Sequence, residues 1–198
     1  MKVLKFYPYD LKWLDWILWV TYRAGTYFIC NYRRFWNRIW KMNVLPKVWN
    51  FVWRACTDIL PTRANLYRRK VPIDPLCSIC GQTDETVGHA LWECPMARNV
   101  WAMAQGRLQK CGIVAQNFYR LVRQLEEKLT GKEMETWATV TWAIWNARNR
   151  FCFEEKQSQP KDILQGASTL LQYYQRWNRD LAEPWQATED ATWPAFCL

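Results

Sequence analysis

Apolar residues along this chain recur mostly at helical rather than strand spacing, and the elements they predict are nearly all helices. In residues 33–43, RRFWNRIWKMN, Phe35, Trp36, Ile39 and Trp40 fall at helical spacing, with Arg34, Arg38 and Lys41 on the other side. Pro46 suits a first helical turn, where its missing N–H would find no intrahelical acceptor. The KVWNFVWRACTDIL that follows places Val48, Phe51, Val52 and Ala55 inward, with Pro61 ending the helix. Thr62 then reads as the N-cap of a short basic helix, RANLYRR, which gathers Arg63, Arg68, Arg69 and Lys70.

From Val71 to Thr83 the chain is rich in Pro, Cys, Gly and Thr, which predicts a loop, with helicity resuming around Asp84. Pro95 breaks that element and opens the next, PMARNVWAMAQ, which should stop near Gly106. Phe118, Leu121, Val122, Leu125 and Leu129 predict a helix over 117–129, closed by Gly131. Residues 133–151 carry a stripe of Met134, Trp137, Thr141, Ile144, Trp145 and Arg148. Residues 161–181 carry another, of Ile163, Ala167, Leu170, Tyr174 and Trp177. Only 26–30, TYFIC, reads as a short strand, the end from Glu183 reads as loose, and no internal repeat is found.

Composition agrees with a folded chain. Half of the 198 residues are apolar and there are only 7 glycines and 9 prolines, so enough side-chain surface exists to offset the cost of ordering the backbone. The length suits one domain, or one domain with an appendage. Fifteen tryptophans predict a core of large aromatic anchors. Charge changes the picture more. The formal net charge of +9 is concentrated: residues 33–70 hold 10 basic groups and 1 acidic one, while the flanks nearly cancel. Such a patch raises the local concentration of polyanions, so nucleic acid is the natural partner, against the plainer reading of a solvated basic helix face.

The most apolar run, Leu11 to Ile29, is interrupted by Lys12, Asp15 and Arg23, and Met1 to Pro8 lacks a clean apolar stretch ending in small residues. The expectation is an intracellular protein, in the nucleus, with no membrane partner. In a reducing compartment its eight cysteines should be thiols or metal ligands rather than disulfides.

Cys77, Cys80, His89 and Cys94 form C-x2-C-x8-H-x4-C around the one histidine of the chain. A C-x2-C turn lets both sulfurs reach one ion, and an imidazole and a third thiolate from a following helix complete a closed Cys3His tetrahedron. Gly81 supplies the freedom a tight metal turn needs, and Cys94 before Pro95 sits where a helix starts and a thiolate is favoured. One structural Zn²⁺ is the expected cofactor, with no open position for catalysis. Cys30, Cys56, Cys111, Cys152 and Cys197 have no spacing partner and read as small buried hydrophobes, Cys197 being the most exposed.

Motifs for catalysis are missing: no Gly-rich phosphate loop, no H-E-x-x-H, no G-x-S-x-G. With His89 on the metal no histidine remains as a general base, and no two aspartates adjoin as a two-metal centre would want. The expectation is no catalytic residue. Contacts to nucleic acid are expected from Arg63, Arg68, Arg69 and Lys70, with Arg33, Arg34, Arg38 and Lys41 as a second cluster and Tyr67 as a stacking surface.

The segments 35–69, FWNRIWKMNVLPKVWNFVWRACTDILPTRANLYRR, and 74–101, DPLCSICGQTDETVGHALWECPMARNVW, resemble the reverse-transcriptase zinc-binding domain of plant LINE-type (non-LTR) retrotransposon polyproteins. Weaker echoes extend both ways. Asp15, Trp19, Gly25 and Tyr27 follow the family's D-x3-W-x5-G-x-Y lead-in, and WAIWNARNRFCFE (142–154) its W-x-I-W-x-x-R-N segment. The resemblance implies zinc ligation by Cys77, Cys80, His89 and Cys94 and nucleic-acid engagement during target-primed reverse transcription. It also implies docking to the polymerase or RNase H domains of a parent polyprotein, whose catalytic aspartates this chain lacks.

The expected fold is thus mainly α: a small helical domain with a Cys3His zinc knuckle between helices, followed by a helical C-terminal extension. The expected domains are a lead-in over 1–32, the zinc-binding domain over 33–105, the extension over 116–181 and a loose tail over 182–198. The expected function is a zinc-stabilised module that binds RNA or DNA largely without regard to sequence. The alternatives are an interaction scaffold using exposed aromatics such as Trp13, Trp16, Trp19 and Trp49, or a polyprotein fragment with no function of its own.

Overall fold

The structure, a computed structural model, describes residues 26–109 and 117–181. The lead-in over 1–25, with Trp13, Trp16 and Trp19, the tail over 182–198 with Cys197, and Cys111 lie outside the described residues. The chain divides into two compact units, Met1–Lys41 and Met42–Leu198.

In the first unit the described element is helix α1, Thr26–Trp40. The expected strand over 26–30 is instead the opening of this helix. Thr, Tyr, Phe and Ile favour strands one by one, but no breaker separates them from the helical pattern after Arg33. Adding residues to a formed helix gains one hydrogen bond each, whereas an isolated strand has nothing to pair with. Phe35, Trp36 and Ile39 are buried, with Phe35 edge-on to Trp36 at 4.9 Å and Trp36 stacked on Trp40 at 5.9 Å.

The second unit is an all-helical assembly among the described residues, apart from an isolated bridge between Leu76 and Asp84. Helix α2, Pro46–Cys56, buries the expected Val48, Phe51, Val52 and Ala55. It ends before Pro61 because Thr57 donates its hydroxyl to Trp53 O and Asp58 turns left-handed, at φ 55°. Thr62 caps the short helix α3, Arg63–Arg68, accepting from Asn65 N at 3.3 Å. Helix α4, Pro95–Met103, follows a π-helical turn, His89–Glu93, and a short 3-10 turn covers Gly106–Leu108.

Helix α5, Phe118–Lys128, is capped by Asn117. Gly131 does not close it but opens helix α6, Gly131–Glu154. Thr130 and Glu133 form a capping box there: Thr130 Oγ1 accepts from Glu133 N, and Glu133 Oε2 accepts from Thr130 N at 2.8 Å. Two donors are satisfied at once, so the local chemistry favours a helix start over a stop.

Helix α6 is the hub. It packs against α2, the π turn, the 3-10 turn and helix α7, Pro160–Leu181. Because partners lie on more than one side, its burial extends past the expected stripe to Ala138, Thr139, Val140 and Ala147, while Trp145 is half-buried. In α7 the buried line is Ile163, Ala167 and Leu171, and Trp177, expected inward, is 57% exposed. Leu170 and Leu171 are adjacent, about 100° apart around a helix, and the packing against α4 and α6 selects the second. Gln175 bridges Glu135 Oε2 and Asn43 O, fastening α7 to α6 and to the turn before α2. No helix among the described residues is long and apolar enough to cross a membrane.

Candidate metal centre

Each ligand of the C-x2-C-x8-H-x4-C motif is delivered by a local bond pattern. Cys77 N donates to Thr83 O and Gly81 N to Cys77 O, both at 2.8 Å, folding 77–83 into a knuckle. Gly81 sits at φ +62°, a backbone conformation that side chains with a Cβ rarely adopt. His89 is fixed at the start of its turn by Thr86, whose hydroxyl accepts from His89 N at 3.1 Å. Five residues on, an α-helix would place Cys94 about 140° away around the axis. The wider π turn, closed by Cys94 N to His89 O at 2.8 Å, brings it back to the same side.

The three sulfurs and one imidazole nitrogen therefore converge, all within 4.8 Å of one another. Cys77 Sγ and Cys94 Sγ are 4.0 Å apart, and Cys80 Sγ lies 3.4 Å from His89 Nε2. Zn–S bonds of about 2.3 Å in a tetrahedron set sulfurs about 3.8 Å apart, so the donor set fits zinc. His89 Nδ1 lies 3.0 Å from Thr83 Oγ1, and with its proton on that side Nε2 presents a lone pair to the metal. Cys77, His89 and Cys94 are buried and Cys80 half-buried, so the centre is closed and fits one structural zinc.

Around the ligands lie residues that the sequence reading did not assign to the centre. Arg148 of α6, 1% exposed, donates through Nη2 to Cys77 Sγ at 3.2 Å and to Glu85 Oε2 at 2.6 Å. Burial pushes the Cys77 thiol up, but the Arg148 hydrogen bond and the N–H groups of Cys80 and Ile79 outweigh it and bring it down to about 6. For Cys94 burial wins and the thiol is raised, with the Met96 N–H and Arg148 working against it. Burial also opposes the Arg148 charge, but the Glu85 carboxylate and Cys77 sulfur raise its pKa further. The signal was present in part: an arginine inside an apolar stripe is a flag for a buried partner.

The basic residues fall into both units, and each set is described by itself. Arg33, Arg34, Arg38 and Lys41, with Asn37, line one shallow concave surface along α1 and the residue that follows it. In the second unit Arg69 and Lys70 are exposed at the end of α3, and Tyr67 is 57% exposed. Arg63 and Arg68 make contacts to the chain itself, Arg68 while remaining exposed. Arg63 Nε donates to Asp74 O at 2.7 Å, and Arg68 pairs with Asp58 at 2.9 Å and with Asn65 Oδ1. Cys56 is half-buried, its thiol raised by burial. Cys152, expected inward, is exposed beside Ser78 Oγ at 3.2 Å, because the last turn of α6 runs past the core.

Fold and site together define a helical module organised on a closed Cys3His centre of the structural-zinc type. Residues 19–101 match the family described as zinc-binding in reverse transcriptase, a stretch that takes in all four residues of the Cys3His centre. A relative in Arabidopsis thaliana, named "Putative ribonuclease H protein", is 23% identical over 122 residues. The alignment covers 60% of this chain and 20% of the relative, so the chain spans about a fifth of that protein's length. No solved structure matches.

Proposed function

We propose that this chain is a zinc-stabilised nucleic-acid-binding module of a retrotransposon polyprotein, acting in the nucleus, with no catalysis of its own. The observation that carries this reading is the cation-lined concave surface of Arg33, Arg34, Arg38 and Lys41 along α1 and its C-terminal end. Lysine and arginine groups gathered on one face neutralise phosphates and release condensed counterions, a term that ignores sequence. Arg69 and Lys70, exposed at the end of α3, suit the same role in the other unit, and Tyr67 offers a ring for stacking. The absence of catalysis is supported by the position of the one histidine, which is a ligand of the metal centre.

The test is a salt titration of binding to single-stranded RNA, single-stranded DNA and duplex DNA. Log affinity should fall linearly with log salt, and each phosphate-contacting cation removed should lower the slope by about 1. Arg34→Ala and the pair Arg69→Ala with Lys70→Ala are expected to do so for all sequences alike. Arg63→Ala and Arg68→Ala should change the slope less, since these side chains are held by Asp74 and Asp58. A flat titration overturns the reading. Exposed Phe153, Tyr173 and Trp177 favour a second one, docking to a polymerase or RNase H domain, for which salt-insensitive association would speak.

A further inference from the structure

A metal centre with four protein ligands is usually treated as complete, but this one carries a charge that its ligands do not balance. Three thiolates and Zn²⁺ sum to −1, in a site where Cys77, His89 and Cys94 are buried. The cation the structure sets against it comes from far along the chain, the guanidinium of Arg148, which is 71 residues beyond Cys77. Its Nη2 reaches both Cys77 Sγ and Glu85 Oε2, and Nη1 is buried with no hydrogen-bond partner. A guanidinium kept only for Glu85 would use its two forked nitrogens on the two carboxylate oxygens. Here one nitrogen is shared between carboxylate and sulfur, and Glu85 Oε1 faces Arg63 N instead. Arg148 is therefore aimed at the sulfur as well as at the acid.

We propose that Arg148 is a positioning residue of the metal centre: it orients the Cys77 thiolate, offsets the charge of the loaded cluster, and so ties metal occupancy to the seating of α6 on the knuckle. This rests on the zinc centre and is independent of nucleic-acid binding. An outer partner of this kind is commonly worth about 10–100-fold in metal affinity. Glu85 supplies the control, because Glu85→Gln removes the carboxylate charge while leaving Arg148 against Cys77.

The experiment measures zinc affinity of the full chain by chelator competition for wild type, Arg148→Met, Arg148→Lys and Glu85→Gln, with absorption spectra of the cobalt-substituted proteins. Arg148→Met is expected to weaken zinc by about 10–100-fold and to shift the thiolate-to-cobalt charge-transfer band. Arg148→Lys, which keeps the charge on a flexible stem, should recover part of the affinity but not the band position. Glu85→Gln should keep the wild-type band, since no group on the sulfur has changed, whatever affinity is lost to the stranded Arg148 charge. If Arg148→Met does not accumulate as folded protein, Arg148→Lys alone decides by its band. An unshifted band in the arginine variants, or a band in Glu85→Gln shifted as far as in Arg148→Met, overturns the proposal.

Discussion

A charged side chain in an apolar helical stripe is tolerated only if something inside the fold receives it, and Arg148 has two such receivers. Glu85 and Arg148 are each buried and lie 2.6 Å apart, so neither can turn to water when the other is removed. Breaking a buried pair of this kind costs about 3–5 kcal/mol, most of it the penalty of the stranded charge. Glu85→Ala should therefore lower unfolding stability in urea by about that amount, and the double variant Glu85→Ala with Arg148→Met should cost clearly less than the two single changes added together. Equal and additive losses would show that the pair is not coupled. At the same scale, Trp137 is fully buried beside Phe118, with ring centroids 6.1 Å apart, and Trp137→Ala should cost about 3–5 kcal/mol in the same assay.

At the scale of elements, local chemistry decides most boundaries, and at the start of α6 two local signals compete. Gly131 reads as a helix stop, yet Thr130 and Glu133 around it spell a capping box, and the box wins because it satisfies two backbone donors that a glycine leaves open. Thr130→Ala should destabilise the chain by about 1 kcal/mol. The Thr130 N–H and hydroxyl hold the Glu133 carboxyl below its usual range. A depressed acid contributes stability that is present above its unfolded pKa and lost as pH falls through the folded value. The stability difference between wild type and Glu133→Ala should thus be full at neutral pH and fade on acidification below about 4. A difference unchanged at low pH would mean the carboxylate is not part of the cap. The choice of Leu171 over Leu170 in α7, and of helix over strand at 26–30, depends on neighbours in space or on continuity with the next element, which a short window of sequence does not contain.

For the whole molecule, the four ligands were readable because a knuckle is a local object whose spacing states its chemistry. Thr83 and Glu85 lie inside the same loop but carry no spacing rule of their own, and Arg148 joins them only through the tertiary fold. That long-range contact has a consequence for how the unit from Met42 onward responds to metal loss. Helix α4 starts directly after Cys94, its N-cap residue, and packs on α7, while α6 packs on the π turn that holds His89 and on α7 as well. Releasing the ligands therefore loosens the turn that both α4 and α6 rest on, and binding free energy of the metal becomes folding free energy of these helices. One zinc per chain is expected by metal analysis, and adding a strong chelator should reduce helicity by more than the short knuckle segment could account for. Cys94→Ser should show the same reduced helicity without chelator. Hydrogen exchange locates the change: amides of α6 from Thr141 to Arg150 should lose protection together with those of 77–94. Loss of zinc that leaves α6 as protected as before would mean that the helices stand on their own core and that the metal secures the knuckle alone.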